Sequence, residues 1–258
     1  MDGIRTTRRG RTLELTIDRP KANAIDSATS KAMGEVFAEF RDDAELRVAI
    51  VTGAGDRFFS AGWDLKAYVA GDPDDFGDGG LAGLTELFDL DKPVIAAVNG
   101  YAAGGGFELV LACDLVVAVP EARFSLPEVR LGFIADSGGV LRLPRRMPHP
   151  LAMEMLLTGE PITAAEAARW GLVNRVVERP QLLAAARELA ERIEAAAPLA
   201  TRAVKATLAA TERLTVEEGF AAMRDGRIPA YDRAVASADA EEGPRAFAEG
   251  RKPVWRGE

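Results

Sequence analysis

Short apolar runs alternate with longer amphipathic stretches through the first two thirds of the chain. Residues 12–18 (TLELTID) alternate apolar and polar positions with the period of a half-buried strand. Residues 47–53 (RVAIVTG), 93–98 (PVIAAV), 114–119 (DLVVAV) and 172–178 (LVNRVVE) are short apolar runs that also predict strands. Between them, helical patterns occupy 27–41, roughly 105–112, and 150–158. Strands that alternate with helices predict an α/β fold whose sheet is covered by helices. The character changes near Ala195. From Pro180 onward Ala, Leu, Glu and Arg dominate, and 180–197, 199–211, 215–225 and 229–238 each predict a helix. The expected organisation is an α/β core over 1–197 and an all-helical region over 198–258. Such a region is expected to pack on the core, on a neighbouring subunit, or on both. Asp72 to Gly83, rich in Gly and Asp, reads as a mobile surface loop, either merely solvated or a lid over a ligand.

Composition narrows the function. With 48% hydrophobic and 28% charged residues in 258, the chain can bury a core and is not of the disordered class. A net charge of -8 argues against a general nucleic-acid binder, which needs a basic face. Cys113 stands alone, so neither a disulfide framework nor a cysteine metal cluster is available, and a reducing cytoplasm fits. Arg5, Arg8, Arg9 and Arg11 are followed by no apolar run, so no secretory signal is read. The apolar stretch from Pro93 to Pro120 is interrupted by Asn99, Gly104 to Gly106, Glu108 and Asp114, and reads as buried core rather than a membrane span. The single histidine, His149, lies between two prolines in an expected turn, where it is solvated or capping. Acid–base chemistry must then fall on carboxylates, Lys or Tyr.

Three short motifs carry candidate chemistry. Gly104-Gly105-Gly106 follows a strand and opens a helix, with Glu108 about one turn further on. Amides at a helix start lack intrahelical partners and favour negative charge, so an oxyanion donor would stand near a carboxylate. Tight helix–strand packing is the competing explanation for the glycines. In Ser60-Ala61-Gly62-Trp63-Asp64-Leu65, the Trp63 N–H could serve as a second donor to the same oxygen. In Leu126-Pro127-Glu128, proline presets a helix start and fixes the point from which Glu128 projects.

Together these motifs resemble the crotonase (enoyl-CoA hydratase/isomerase) superfamily, from about Leu13 to the C-terminus. The shared elements run in order: Arg19-Pro20 with Asn23-Ala24, Phe59 to Leu65, Pro93 to Gly100 leading into the glycine triplet, Phe124 to Glu128, Gly132 to Gly139, and Leu157-Thr158-Gly159 before Ala164 to Val173. The resemblance implies a spiral of repeated ββα units, a C-terminal helical trimerisation region, and trimers or hexamers. It implies an acyl-CoA thioester substrate, with coenzyme A as part of the substrate and no separate cofactor or metal. It places the oxyanion-hole amides at Trp63 and Gly105, the catalytic acids at Glu108 and Glu128, and substrate or CoA contacts at Ala24, Ala61, Asp64, Leu65 and Gly104. The dinucleotide-binding reading of the glycines fails, because Leu109 stands where a G-x-G-x-x-G pattern needs its last glycine.

A narrower resemblance singles out the carnitinyl-CoA dehydratase branch. It rests on Ala61 to Lys66, Leu84 to Lys92, Asp136 to Pro144 and Pro253-Val254-Trp255. Ala135 and Asp136 stand where common hydratases have proline and glycine, and one residue fewer separates Lys21 from Asn23. This branch implies hydro-lyase chemistry on L-carnitinyl-CoA and crotonobetainyl-CoA. The alternatives are a general enoyl-CoA hydratase and a non-catalytic acyl-CoA or RNA-binding relative. A trimethylammonium acyl group would need aromatic faces or an acid, for which Trp63, Tyr68 and Asp136 are candidates, with packing as the competing role. Lys21, Arg57, Lys66, Arg251 and Lys252 are candidates for the CoA phosphates.

Overall fold

The computed structural model describes residues 3–258; Met1 and Asp2, which open the expected core and N-terminal segment, lie outside the described residues. The chain forms two compact units, one of residues up to Leu90 with Val94–Ala190, the other of Asp91–Pro93 with Glu191–Glu258.

The first unit starts with an antiparallel hairpin, β1 (Ile4–Arg9) and β2 (Thr12–Ile17), followed by α1 (Ser27–Asp42). Asp26 caps α1 by accepting the Thr29 N–H at 2.8 Å, and Met33, Val36, Phe37 and Phe40 form its buried stripe. The chain then winds through successive strand–strand–helix turns. The first holds β3 (Val48–Gly53), β4 (Phe58–Ser60) and the short α2 (Leu65–Val69). The second holds β5 (Val94–Val98), β6 (Tyr101–Ala103) and α3 (Gly105–Ala112). The third holds β7 (Leu115–Ala118), β8 (Arg123–Ser125) and a 3-10 turn at Pro127–Leu131, then α4 (Gly139–Arg146) and α5 (His149–Thr158). β9 (Ile162–Thr163), α6 (Ala164–Arg169), β10 (Arg175–Val176) and α7 (Leu182–Glu194) complete the winding.

Among the described residues the strands form two sheets, in the orders β1-β2-β3-β5-β7-β10 and β4-β6-β8-β9. The first strand of each turn adds to one sheet in parallel and the second strand adds to the other, which is the spiral of ββα units the resemblance implies. β3 and β5 are buried along their whole length, which is why they read as unbroken apolar runs rather than alternating ones. The bend from β3 into β4 is pinned by two buried asparagines. Asn99 Nδ2 donates to the Gly55 and Phe58 carbonyls, and Asn23 Nδ2 donates to the Ala54 and Phe58 carbonyls.

Three expectations are revised. The run 172–178 yields only the two-residue β10, because Leu172 and Val173 are buried beneath α6 and hydrogen-bond back to Ala167. His149 opens α5 rather than forming a turn, since Pro148 and Pro150 suit a helix start. The Asp72–Gly83 segment is partly fastened: Asp72 accepts the Ser27 N–H, and the Asp75 and Phe76 carbonyls accept the Ser27 and Ser30 hydroxyls.

The second unit is helical, with α8 (Pro198–Thr211), α9 (Val216–Arg224), α10 (Pro229–Val235) and α11 (Ala238–Ala248). Residues 91–93 join it through α8: Arg202 pairs with Asp91 at 2.8 Å, and Lys205 donates to the Lys92 carbonyl at 2.9 Å. Val204, Leu208, Phe220, Val235 and Phe247 are exposed. No helix among the described residues is long and apolar enough to cross a membrane.

Candidate active site

The glycine triplet lies where three neighbours close in. Gly104 has φ 55° and ψ -130°, a conformation closed to residues with a side chain, and a Cβ there would lie 2.9 Å from Glu128 Oε1. A Cβ at Gly105 would overlap Leu81, and one at Gly106 would overlap the Ser60 carbonyl. Opposite the triplet, Gly62 is held by the bridge of Ile25 to Trp63, in which Ile25 N–H donates to the Gly62 carbonyl and Asp64 N–H donates to the Ile25 carbonyl. A Cβ on Gly62 would lie 2.5 Å from the Gly105 nitrogen, and one on Gly105 would lie 3.4 Å from the Trp63 nitrogen. The amides of Trp63 and Gly105 are thus close neighbours. Among the described residues neither donates to a protein acceptor. Both residues line one cavity of about 170 Å³, small for a whole ligand site and suited to the reacting end of a larger molecule.

Glu108 and Glu128 line the same cavity. Glu108 projects from the first turn of α3 and is 3% exposed. Its Oε1 accepts the Gly139 N–H at 2.8 Å. Burial pushes its pKa up to about 8; the Gly139 N–H opposes this, and the nearby charges of Glu128 and Asp136 reinforce it. Burial also raises the pKa of Glu128, helped by Asp136 and opposed by a backbone N–H. Glu128 Oε2 is buried without a hydrogen-bond partner. With its pKa near 8, Glu108 can hold or release a proton near neutrality, beside a second acid whose pKa is also raised and two amides able to receive a negative oxygen.

Of the other sequence candidates, Ala61, Leu65 and Gly104 line the cavity, as do Tyr68 and Asp136. Ala24 and Asp64 are placed outside its lining and carry structural bonds. Arg19 Nη1 donates to the Ala24 carbonyl at 2.6 Å and pairs with Asp64 at 3.0 Å, while Asp64 Oδ1 caps α2. Lys21, Arg57, Lys66 and Lys252 are exposed, and Arg251 is paired with Glu242 and Glu249. Asp74 and Phe76, from the Asp72–Gly83 segment read as a solvated loop or a lid, stand in the wall; sequence reasoning missed Leu131, Phe133 and Ile134 there, and the Gly139 amide on Glu108. A usable signal existed for the wall: Leu131, Phe133 and Ile134 are apolar on a Gly-containing turn directly after Glu128. Among the described residues no group of three or more His, Cys, Asp or Glu is arranged to hold a metal ion.

The enoyl-CoA hydratase/isomerase family model matches residues 8–258. A carnitinyl-CoA dehydratase of Salmonella typhi is 58% identical over 258 residues, covering 99% of each chain. Among solved structures, an enoyl-CoA hydratase from Mycobacterium tuberculosis H37Rv superposes with a TM-score of 0.92 at 42% identity, covering 100% of both chains. A carnitinyl-CoA hydratase from Mycobacterium avium superposes with a TM-score of 0.78 at 43% identity, again over 100% of both. Matched along nearly its entire length in sequence and in backbone, the chain belongs to the enoyl-CoA hydratase/isomerase family.

Proposed function

We propose that this protein is a hydro-lyase that interconverts L-carnitinyl-CoA and crotonobetainyl-CoA plus water. In dehydration, Glu128 takes the α-proton and the released electron pair moves toward the thioester oxygen. That oxygen accepts hydrogen bonds from the Trp63 and Gly105 amides. As the charge returns to form the α,β double bond, the β-hydroxyl leaves with the proton of Glu108. Hydration runs the same steps backwards. The raised pKa of Glu108 suits it to carry a proton at neutral pH, while a charged Glu128 beside it is one reason that proton is held. Coenzyme A arrives as part of the substrate, and the steps above need no further cofactor.

The carnitine assignment is carried by the lining of the cavity. Asp74, Asp136 and Glu128 line it, beside the protonated Glu108, together with Trp63, Tyr68, Phe76 and Phe133, and no Lys or Arg is among its lining residues. Aromatic faces and carboxylates favour a cationic acyl end, whereas a neutral chain gains nothing from the acids. The 58% identity to the Salmonella typhi carnitinyl-CoA dehydratase supports the same reading. The second reading, a general enoyl-CoA hydratase, is favoured by the TM-score of 0.92 to the Mycobacterium tuberculosis enzyme. Measuring kcat/KM on crotonobetainyl-CoA against crotonyl-CoA decides between them. A clear preference for the cationic thioester is expected; a preference for crotonyl-CoA overturns the carnitine assignment. The exposed apolar residues on α8 to α11 support association of copies, as a trimer or a hexamer, and the protein is proposed to work in the cytoplasm.

A further inference from the structure

The N-terminal turn of α4 is built around Glu108. Gly139, the first residue of the helix, donates its N–H to Glu108 Oε1 at 2.8 Å, and Gly138 before it has φ 112°. The side chain of Arg142 doubles back over this turn. A Cβ on Gly138 would overlap Arg142 Nη1, so the guanidinium fills space that only glycine leaves. Its Nη2 donates to the Thr85 carbonyl at 2.6 Å. Burial lowers the pKa of Arg142; Arg146 and Arg145 add to the effect, and Glu108 and Glu86 oppose it. The charged groups acting on Glu108 are Glu128 from the 3-10 turn, Asp136 from the loop before α4, and Arg142 from α4 itself. Arg142 is the cation of this set.

We propose that Arg142 is a positioning residue that clamps the Gly138–Gly139 turn against the Thr85 carbonyl and so keeps the Gly139 amide on Glu108. Arg142 lines no part of the cavity and touches no reacting atom. It acts through Glu108 in two ways. It fixes the N–H donor that orients the carboxyl group, and its charge favours the ionised form. Losing it weakens both restraints, so Glu108 keeps its proton to higher pH. In dehydration Glu108 must start protonated, so kcat/KM falls as pH rises through its pKa. That basic limb moves upward when Arg142 is lost.

The inference rests on the reading of Glu108 as the proton donor, and the test separates the two. The pH profile of kcat/KM for dehydration of L-carnitinyl-CoA is measured for the wild type, Arg142→Gln, Arg142→Lys and Glu108→Gln. Gln keeps a donor for the Thr85 carbonyl but not the charge; Lys keeps the charge. Arg142→Gln is expected to move the basic limb upward by about one pH unit and to lower kcat about tenfold with KM within about twofold. Arg142→Lys is expected to keep the wild-type limb and recover most of the lost kcat. A wild-type limb in Arg142→Gln overturns the inference. So does an upward shift in Arg142→Lys, a result that can be read even if the Gln variant does not fold. If Glu108→Gln retains wild-type turnover, the proton-donor reading itself fails. If Glu108→Gln is inactive while Arg142→Gln keeps the limb, only the role given to Arg142 fails.

Discussion

Replacing Glu108 by Gln removes a carboxyl group that the fold holds in its neutral form. The pKa of Glu108 is about 8 in the folded protein, against 4.5 for the ordinary group. Because the folded value is the higher one, the folded state binds the proton more tightly than the unfolded chain. Between pH 4.5 and 8 the folded state therefore carries more protons, and stability falls as pH rises. The loss is absent below pH 4.5 and complete above pH 8. At about 1.4 kcal/mol per pH unit, this interval amounts to about 5 kcal/mol. Gln is free of this penalty. Its Oε1 can still accept the Gly139 N–H, but its amide N–H groups enter a buried site, at a cost of about 1–3 kcal/mol at every pH. With about 0.7 kcal/mol of that penalty already present at pH 5, the variant should be less stable than the wild type by about 0.3–2.3 kcal/mol there and more stable by about 2–4 kcal/mol near pH 8.5. Urea denaturation of both proteins at the two pH values, at one protein concentration, measures the crossing. A difference that stays the same at both pH values would refute the claim that burial keeps Glu108 protonated.

Gly105→Ala puts a methyl group into Leu81 and 3.4 Å from the Trp63 nitrogen, which forces the two amides out of their present arrangement. Its kcat should fall about 100- to 1,000-fold, as expected for a spoiled oxyanion donor; loss of enoyl-thioester absorbance measures it. Asp136→Asn should lower kcat/KM about tenfold more for crotonobetainyl-CoA than for crotonyl-CoA, since its effect on the pKa of Glu108 and Glu128 is shared by both substrates, a comparison that one assay series provides. Arg19→Met strands Asp26 and Asp64, which Arg19 pairs at 2.6 and 3.0 Å. It should cost about 1–3 kcal/mol of stability, visible as a lower melting temperature.

Much of this architecture is legible in the sequence because burial on both faces of β3, β5 and β7 leaves unbroken apolar runs, and because α1 has one buried stripe. β4, β6 and β8 have three residues each, too few to display a period, and were invisible for that reason. α4 was missed as an element because it opens on Gly139 and contains Pro144, both poor helix formers. In the site, Glu108, Glu128 and the glycine triplet stood out, since glycines and acids in apolar surroundings need a reason. The Gly139 amide on Glu108 did not: a backbone contact across 31 residues leaves no trace in side-chain chemistry. Asp64 shows the reverse. It sits inside a telling motif, yet its bonds go to Arg19 and to the cap of α2.

The joint action of two acids on one thioester is tested most directly by turnover of Glu108→Gln and Glu128→Gln, each checked for native circular dichroism, on the preferred enoyl-CoA substrate. Each single variant should lose about 100- to 10,000-fold in kcat. Turnover within a few-fold of the wild type in both variants would contradict the account.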